Sequence, residues 1–260
     1  MRNFLLSIIT ILIVLSPSII KADAVKLVTG NDYVPFTDES LPNGGFATEI
    51  VTAVFADMGE QVIYDWLPWK RGYRESSNGS YLGTFPYIPS EERRKDFLYS
   101  QPLIYASERL ISIKSKSSII SNWDEVDGIT ICLPLGYASV KNMTDRIAIG
   151  KVVRITRTTM EDCFYHVKAV RSHYVLSGII QAWFTAKELG IKFDELWISK
   201  LDISDKKHSG LSLIISRKIE GGADWIKRFN SSLGKLRENG TVNKIIHKHL
   251  GNDFPVYLLN

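Results

Sequence analysis

Short apolar runs and amphipathic segments alternate along the chain. Residues 25–29 are rich in β-type side chains and predict a first strand. From Phe46 to Met58 apolar residues recur every four positions and Gly59 follows, which predicts an amphipathic helix that ends at a glycine. The alternation of polar and apolar residues over 61–66 predicts the next strand.

The same alternation continues towards the C-terminus. Two segments with a helical repeat of apolar residues flank Gly240 and predict two short helices packed on a core. Further strands are predicted for residues 110–113, 129–133, 151–155 and 211–215. Strands that alternate with helices are typical of an α/β fold with mostly parallel sheets.

Two polar segments mark candidate domain limits. Residues 114–122 form the first segment, and residues 202–210 form the second. Two boundaries within one α/β chain indicate that one lobe is inserted into the other. We therefore predict a first lobe of residues 25–112 and 212–260, and an inserted second lobe of residues 113–211.

The first 24 residues have the composition of a targeting signal. A basic start is followed by an apolar run over residues 4–20, and Ala22 and Ala24 provide a small-x-small cleavage site. The alternative is a membrane anchor, but the run is shorter than the roughly 20 residues that a spanning helix needs, and it contains Pro17. We predict a signal peptide over residues 1–24 and a soluble, exported mature protein.

Export changes the interpretation of the two cysteines. In an oxidising compartment, a pair such as Cys132 and Cys163 is more often bonded than free, so we expect a disulfide. It would close a loop of about 30 residues and contribute roughly 3.6 kcal/mol on the chain-entropy model. The alternative is a nucleophilic Cys163 with His166 one helical turn later.

Composition and motifs exclude several functional classes. The 260 residues carry 32 Lys+Arg and 28 Asp+Glu, and the formal charge of +4 does not resemble the footprint of a nucleic-acid binder. The sequence contains no phosphate loop, no H-E-x-x-H motif and no G-x-S-x-G elbow, and its five histidines are scattered. We therefore predict no catalytic residue, no cofactor, no metal site and no nucleic-acid partner.

Three segments resemble one protein family. Residues 33–36 (YVPF) follow the first strand, and residues 90–93 (SEER) precede the block FLYSQPL at 97–103. A third segment joins residues 127–130 (DGIT) to the glycine turn at 136–139 (GYAS). This order resembles the bacterial extracellular solute-binding proteins of family 3, the polar amino acid type. The resemblance implies an α/β, two-lobed periplasmic-binding-protein type II fold, with a ligand cleft between lobes joined by two crossing strands.

The resemblance also implies ligand-binding residues. Arg93 matches the arginine that holds the ligand carboxylate, a task that suits the planar fork of a guanidinium. Tyr33 and Trp69 match the aromatic walls of the site. The alternatives are a solvated surface arginine and ordinary aromatic core packing. The remaining candidates are Arg71 as a second anion clamp, Phe85 and Tyr87 as cleft lining, and Gly136, Tyr137 and Ser139 at a helix N-terminus, where the alternative is a plain glycine turn.

The sequence departs from the family where an α-ammonium group is usually bound. His173 and Gly178 stand near the positions at which relatives place aspartates. A buried ammonium without a carboxylate is costly, so an organic acid, an aromatic acid or a modified amino acid are alternatives to a standard α-amino acid. Asp32 is a candidate replacement for the absent carboxylate.

The resemblance favours a function in solute uptake. It implies a periplasmic, monomeric, non-enzymatic protein that captures a small polar or anionic solute by hinge closure and delivers it to the membrane permease of an ABC importer. The first alternative is a ligand-sensing binder for a signalling receptor. The second is a cleft enzyme such as a small-molecule dehydratase, which would need a general acid with a raised pKa.

Overall fold

Strands and helices alternate along the chain in two βαβαβ units. The computed structural model describes residues 24–105, 107–113, 120–204, 210–252 and 254. The strands in these residues are β1 (Val25–Thr29), β2 (Val62–Trp66), β3 (Gly83–Tyr87), β4 (Phe97–Tyr99), β5 (Ile104–Tyr105), β6 (Glu108–Ser112), β7 (Thr130–Pro134), β8 (Val153–Arg157), β9 (Tyr174–Gly178), β10 (Trp197–Ile198) and β11 (Gly210–Ser216). The helices are α1 (Phe46–Asp57), α2 (Trp69–Ser77), α3 (Glu91–Asp96), α4 (Lys141–Ala148), α5 (Met160–Lys168), α6 (Ile179–Glu188), α7 (Gly222–Glu238) and α8 (Thr241–Leu250).

The strands form two separate sheets. The first has the order β2-β1-β3-β11-β4, and β5 also pairs with β11. The second has the order β10-β6-β9-β7-β8. Each sheet has a hydrophobic core of its own, and α1, α7 and α8 cover the first sheet with side chains such as Ile50, Phe229 and Leu233, all fully buried. This arrangement confirms the predicted α/β class and the two lobes.

The expectation of mostly parallel sheets is wrong. Parallel pairs join β1 to β2 and β3, and β7 to β8 and β9, whereas β6 and β11 pair antiparallel with all their neighbours. Parallel neighbours arise where a helix carries the chain back between consecutive strands. Strands β6 and β11 are instead the first strands after the chain crosses from one sheet to the other. No crossover helix within a sheet therefore sets their direction.

The sheets place the passage between lobes earlier than the predicted limit at residues 112/113. Strand β6, which that limit assigns to the first lobe, pairs with β9 and β10 of the second sheet. Strand β11 pairs within the first sheet, close to the predicted second limit. The first limit rested on the polar composition of residues 114–122, and polar composition marks exposed chain in general, not a passage between sheets.

The predicted disulfide is confirmed. Cys132 on β7 and Cys163 on α5 are bonded, with their Cα atoms 5.3 Å apart and both side chains fully buried. The bond fastens α5 to the sheet, and Thr159 and Asp162 form a capping box at the start of that helix. No cysteine of the described residues is free, so the alternative of a nucleophilic Cys163 is wrong.

Two further predictions concern helices and the N-terminus. The C-terminal pair of helices is confirmed, with Gly240 between them at a positive φ of +78°, although α7 is long, at 17 residues. No helix within the described ranges combines the length and the apolar composition that crossing a bilayer requires. The predicted signal peptide lies outside the described residues.

Candidate functional site

A cavity lies between the two lobes. Its empty space is about 410 Å³, part of which is open solvent. The first lobe contributes the turn after β1, the start of α2, the end of β3 and helix α3, and the second lobe contributes the start of β6 and the turn after β7. The lining residues are Tyr33, Trp69, Pro86, Tyr87, Ile88, Arg93, Glu108, Gly136, Tyr137, Ala138 and Leu211.

Four aromatic side chains form the walls of the cavity. The ring of Trp69 lies edge-to-face against Tyr87, with centroids 5.8 Å apart, and against Tyr137, at 6.4 Å. Tyr33 makes the same kind of contact with Tyr137 at 5.4 Å. The indole N–H of Trp69 donates to the carbonyl of Asn31 at 2.9 Å. These contacts fix the orientation of the aromatic rings relative to one another in the closed cleft.

The lobes touch each other directly, so the cleft is closed. The hydroxyl of Tyr137, in the second lobe, donates to the carbonyl of Asp32 in the first lobe at 2.7 Å. Gln181 on α6 donates from Nε2 to the same hydroxyl at 3.1 Å. Gly136 lies so close to Trp69 that a Cβ atom built on it would stand 3.1 Å from the Cβ of Trp69.

Arg93 supplies an unpaired cation. Helix α3 begins after Ser90, whose hydroxyl accepts from the backbone N–H of Arg93 at 3.2 Å, and this cap sets the start of the helix. The guanidinium donates from Nη1 to the carbonyl of Ile88 at 3.1 Å and lies 4.8 Å from the ring centroid of Tyr87. No carboxylate of the described residues forms an ion pair with it. Its remaining N–H groups are available to an anion in the cavity.

Glu108 supplies a carboxyl group that the sequence analysis missed. It is the first residue of β6, and it lines the cavity with its Oε2 atom buried and without a hydrogen-bond partner among the described residues. Burial and the negative charge of Asp202 raise the pKa of Glu108 to about 7, against a smaller opposing effect of the Ser139 hydroxyl. A glutamate before a strand-like run has no local feature that distinguishes it from a solvated one.

The structure brings most predicted site residues together. Six of them line the cavity: Tyr33, Trp69, Tyr87, Arg93, Gly136 and Tyr137. Ser139 is buried beside it, with its hydroxyl close to the carboxyl group of Glu108. These positions agree with a common site, and the role of each residue in ligand binding stays a prediction.

Two predicted site residues lie elsewhere. Phe85 is fully buried in the core of the first lobe, where its ring contacts Tyr64 at 5.7 Å, because β3 is an interior strand whose two faces are both covered. Arg71 is exposed on α2, and its charge acts on Tyr81, outside the cavity. The cavity therefore has one arginine in its lining, not two.

The helix after the glycine turn begins later than expected. Gly136 takes a φ of +87° and turns the chain after β7, but α4 starts only at Lys141, after an extended Val140. Residues 136–139 therefore form a loop that approaches Trp69, and their N–H groups are not the first turn of a helix.

The other carboxylate candidate, Asp32, does not line the cavity. Burial, followed by the negative charge of the nearby Glu161 of the second lobe, raises the pKa of Asp32 well above its usual range. His173 accepts a backbone hydrogen bond from Thr130 at 3.0 Å and likewise lies away from the lining. Within the described part of the chain, no group of acidic, histidine or cysteine side chains is arranged to hold a metal ion.

Two lobes with mixed sheets and a cavity between them define the fold of the periplasmic binding proteins. A family model described as bacterial extracellular solute-binding proteins, family 3, matches residues 25–252, and the chain belongs to this family.

Relatives and solved structures agree with this assignment. The probable amino-acid-binding protein YxeM of Bacillus subtilis (strain 168) is 24% identical over 237 residues, covering 88% of this chain and 84% of that protein. The structure of a histidine kinase sensor domain with similarity to periplasmic binding proteins has a TM-score of 0.73 at 18% identity. The match covers 88% of this chain and 96% of the sensor-domain chain. The structure of the substrate-binding protein of an amino acid ABC transporter has a TM-score of 0.68 at 18% identity. The match covers 87% of this chain and 98% of the other chain.

Proposed function

We propose that the protein is a periplasmic solute-binding protein that captures a small carboxylate-bearing solute and delivers it to the permease of an ABC importer. The observation that carries the proposal is the unpaired guanidinium of Arg93 in an aromatic cavity between two lobes. The family, and the names of relatives that bind amino acids or serve an amino acid ABC transporter, support it.

The geometry supports capture by hinge closure. Arg93 belongs to the first lobe and offers two parallel N–H groups to a carboxylate, while Trp69 and Tyr87 flank the bound molecule. Tyr137 and Gly136 of the second lobe close the cavity from the opposite side. A solute that contacts both lobes stabilises the closed state relative to the open one, and the permease then distinguishes loaded from empty protein.

The first experiment is a thermal-shift screen against amino acids, organic acids, aromatic acids and amines. A solute at about 100 times its dissociation constant stabilises the protein by about 2.7 kcal/mol, which should raise the melting temperature by roughly 5–10 °C. Hits confined to carboxylate-bearing compounds support the proposal. Absence of any such hit contradicts it.

Variants of neighbouring arginines test the role of Arg93. We expect Arg93→Ala to abolish binding of the solute found in the screen. Arg93→Lys should retain only part of the binding, because lysine keeps the positive charge but lacks the planar guanidinium with its two parallel N–H donors. The matched control is Arg94→Ala, since Arg94 follows on the same helix, is exposed and stacks on Tyr99 at 4.9 Å outside the cavity. Wild-type affinity in Arg93→Ala contradicts the assignment.

Two alternatives have observations in their favour. The likeness to a histidine kinase sensor domain favours a binder that signals to a receptor, and retained solute uptake after deletion of the gene would favour that role. The raised pKa of Glu108 provides the kind of acid that a cleft enzyme would need. We propose binding without conversion, so mass spectrometry should recover the solute unchanged after incubation with the protein.

A further inference from the structure

We infer that the second lobe binds a phosphate-like oxyanion between Arg157 and Arg171, at a site separate from the cavity between the lobes. Both arginines line a second cavity, formed by helix α5, the end of the edge strand β8 and the turn after α5. Among the described residues, the two cavities share no lining residue. His166 of α5 also lines the second cavity, although it is only 8% exposed, and the proposed function gives it no role.

The ring of His166 is held beside positive charge. The Nη2 atom of Arg157 lies 2.5 Å from Nε2 of His166, and since an arginine can only donate, the ring accepts through Nε2. Nδ1 therefore carries the hydrogen atom, and it is buried without a hydrogen-bond partner among the described residues. Burial, followed by the charges of Arg157 and Arg171, lowers the pKa of His166 and favours the neutral ring. The cavity thus collects N–H donors and positive charge around one imidazole.

The end of α5 fixes the position of Arg171. Its backbone N–H donates to the carbonyl of His166 at 2.9 Å, and the N–H of Val170 donates to the carbonyl of Val167 at 2.9 Å. These bonds form the Schellman pattern of helix ends, in which the residue at the position of Val170 is usually glycine. Val170 has a φ of +58°, a conformation that β-branched residues rarely adopt, and it is 79% exposed. Strained backbone of this kind is concentrated at functional sites, which agrees with a ligand site at this turn.

No carboxylate in the described lining neutralises these cations. Asp162 is the one acidic residue of that lining, and its Oδ2 atom accepts from the backbone N–H of Thr159 at 3.3 Å in the cap of α5. Arg157, Lys168 and Arg171 form no ion pair within the described part of the chain. Guanidinium groups bind phosphate and sulfate through parallel N–H bonds, and an oxyanion between two of them also offsets their mutual repulsion.

The same chemistry occurs in a free oxyanion and in the headgroup of an anionic phospholipid. The second source is compatible with the surroundings, because Tyr165 lines the cavity with 57% of its surface exposed and tyrosine is favoured at membrane interfaces. Sulfate is the probe for a free anion. Vesicles of phosphatidylcholine with phosphatidylglycerol are the probe for a headgroup, and vesicles of phosphatidylcholine alone are their control.

Calorimetric titration with sulfate, at an ionic strength held constant with chloride, measures binding to the purified protein. We expect Arg157→Gln and Arg171→Gln each to weaken sulfate binding at least about tenfold, the effect of one lost hydrogen bond to a charged group. Arg94→Gln is the matched control, since Arg94 is exposed and lies on α3 of the first lobe. Arg93→Ala should also leave this affinity unchanged, which separates the site from any anion held in the cleft between the lobes.

The pH dependence of sulfate binding is a second readout. Sulfate keeps its charge over the range in which histidine titrates, and protonation of His166 adds a third positive charge beside the two arginines. The affinity should therefore rise as the pH falls through the lowered pKa of His166. In His166→Gln, whose amide oxygen can still accept from Arg157, this rise should be absent. The other titratable groups of the lining belong to residue types that titrate outside this range: Asp162, Tyr165 and Lys168.

The outcomes are distinct from those of the proposed function. Sedimentation with the anionic vesicles, lost in Arg157→Gln/Arg171→Gln, supports a lipid headgroup as the source, whereas sulfate binding without vesicle binding supports a free anion. Absence of sulfate binding to the wild type, or wild-type affinity in the folded double variant, overturns the inference and leaves the assignment of Arg93 untouched. A rise in affinity at low pH that persists in His166→Gln overturns the placement of the anion beside that ring.

Discussion

Replacing Gly136 with alanine tests whether the closed contact between the lobes is the state that holds the ligand. Gly136 stands at the end of β7 with a φ of +87°, directly opposite Trp69 of the other lobe. A Cβ atom at this position would lie 3.1 Å from the Cβ of Trp69 and 3.7 Å from the backbone nitrogen of Lys70. The first distance is shorter than an ordinary van der Waals contact, so the lobes must move apart by a few tenths of an ångström.

Two separate costs follow from this substitution. An alanine at positive φ costs about 1–2 kcal/mol, but that strain is present in the open and the closed state alike and does not change the closure equilibrium. The contact with Trp69 exists only when the cleft is closed. Overpacking of this kind costs about 1–3 kcal/mol, which corresponds to a loss of affinity of roughly 5- to 150-fold.

Gly150 provides a matched control for the first cost. It has a positive φ of +76° in the same lobe, and a Cβ atom built there meets nothing within 4 Å. Gly150→Ala should therefore lower the melting temperature about as much as Gly136→Ala, but leave the affinity for the solute unchanged. Calorimetric titration measures the affinity, and small-angle scattering measures closure on binding. Equal affinities for the two variants would refute the closed-cleft interpretation.

Two further predictions concern stability. The double variant Cys132→Ala/Cys163→Ala should lower the free energy of unfolding in urea by about 3.6 kcal/mol, the chain-entropy value for this loop, and a loss below about 1 kcal/mol would contradict that account. The pKa of Asp32 is raised by burial and by Glu161, so the native state keeps a proton whose stabilising effect is complete below the usual aspartate pKa and is lost as the pH rises through the raised value. The melting temperature should thus fall between about pH 4 and pH 8, less steeply in Asp32→Asn, whereas an unchanged slope in that variant would speak against the raised pKa of Asp32.

Local periodicity predicted the elements well because it depends on neighbouring residues. The first strand, Val25–Thr29, has the predicted bounds, and α1 begins at Phe46 as predicted and ends at Asp57, one residue before the predicted end. The pairing partner of β6 was not predictable in this way. Its apolar run has the same local pattern in either lobe, and hydrogen bonds to β9 and β10, which lie more than 60 residues later in the chain, decide its sheet.

The candidate site was predictable where a motif carried it. Arg93 and Trp69 were selected from family positions, and the structure places both in the cavity lining. Phe85 and Tyr87 lie two residues apart on one strand and were given the same role, yet one packs in the main core and the other lines the cavity. A register shift between β3 and β11 gives β3 an extra residue between Thr84 and Tyr87, and this irregularity breaks the alternation from which a shared role was inferred.

The fixed orientation of Arg93 fits its proposed role in binding an anion. Its backbone N–H bonds to the Ser90 cap, its guanidinium donates to the carbonyl of Ile88, and no carboxylate of the described residues forms an ion pair with it. Its remaining N–H groups are thus held in place before an anion arrives. A carboxylate that meets them would gain charge-assisted hydrogen bonds without the cost of ordering the arginine side chain.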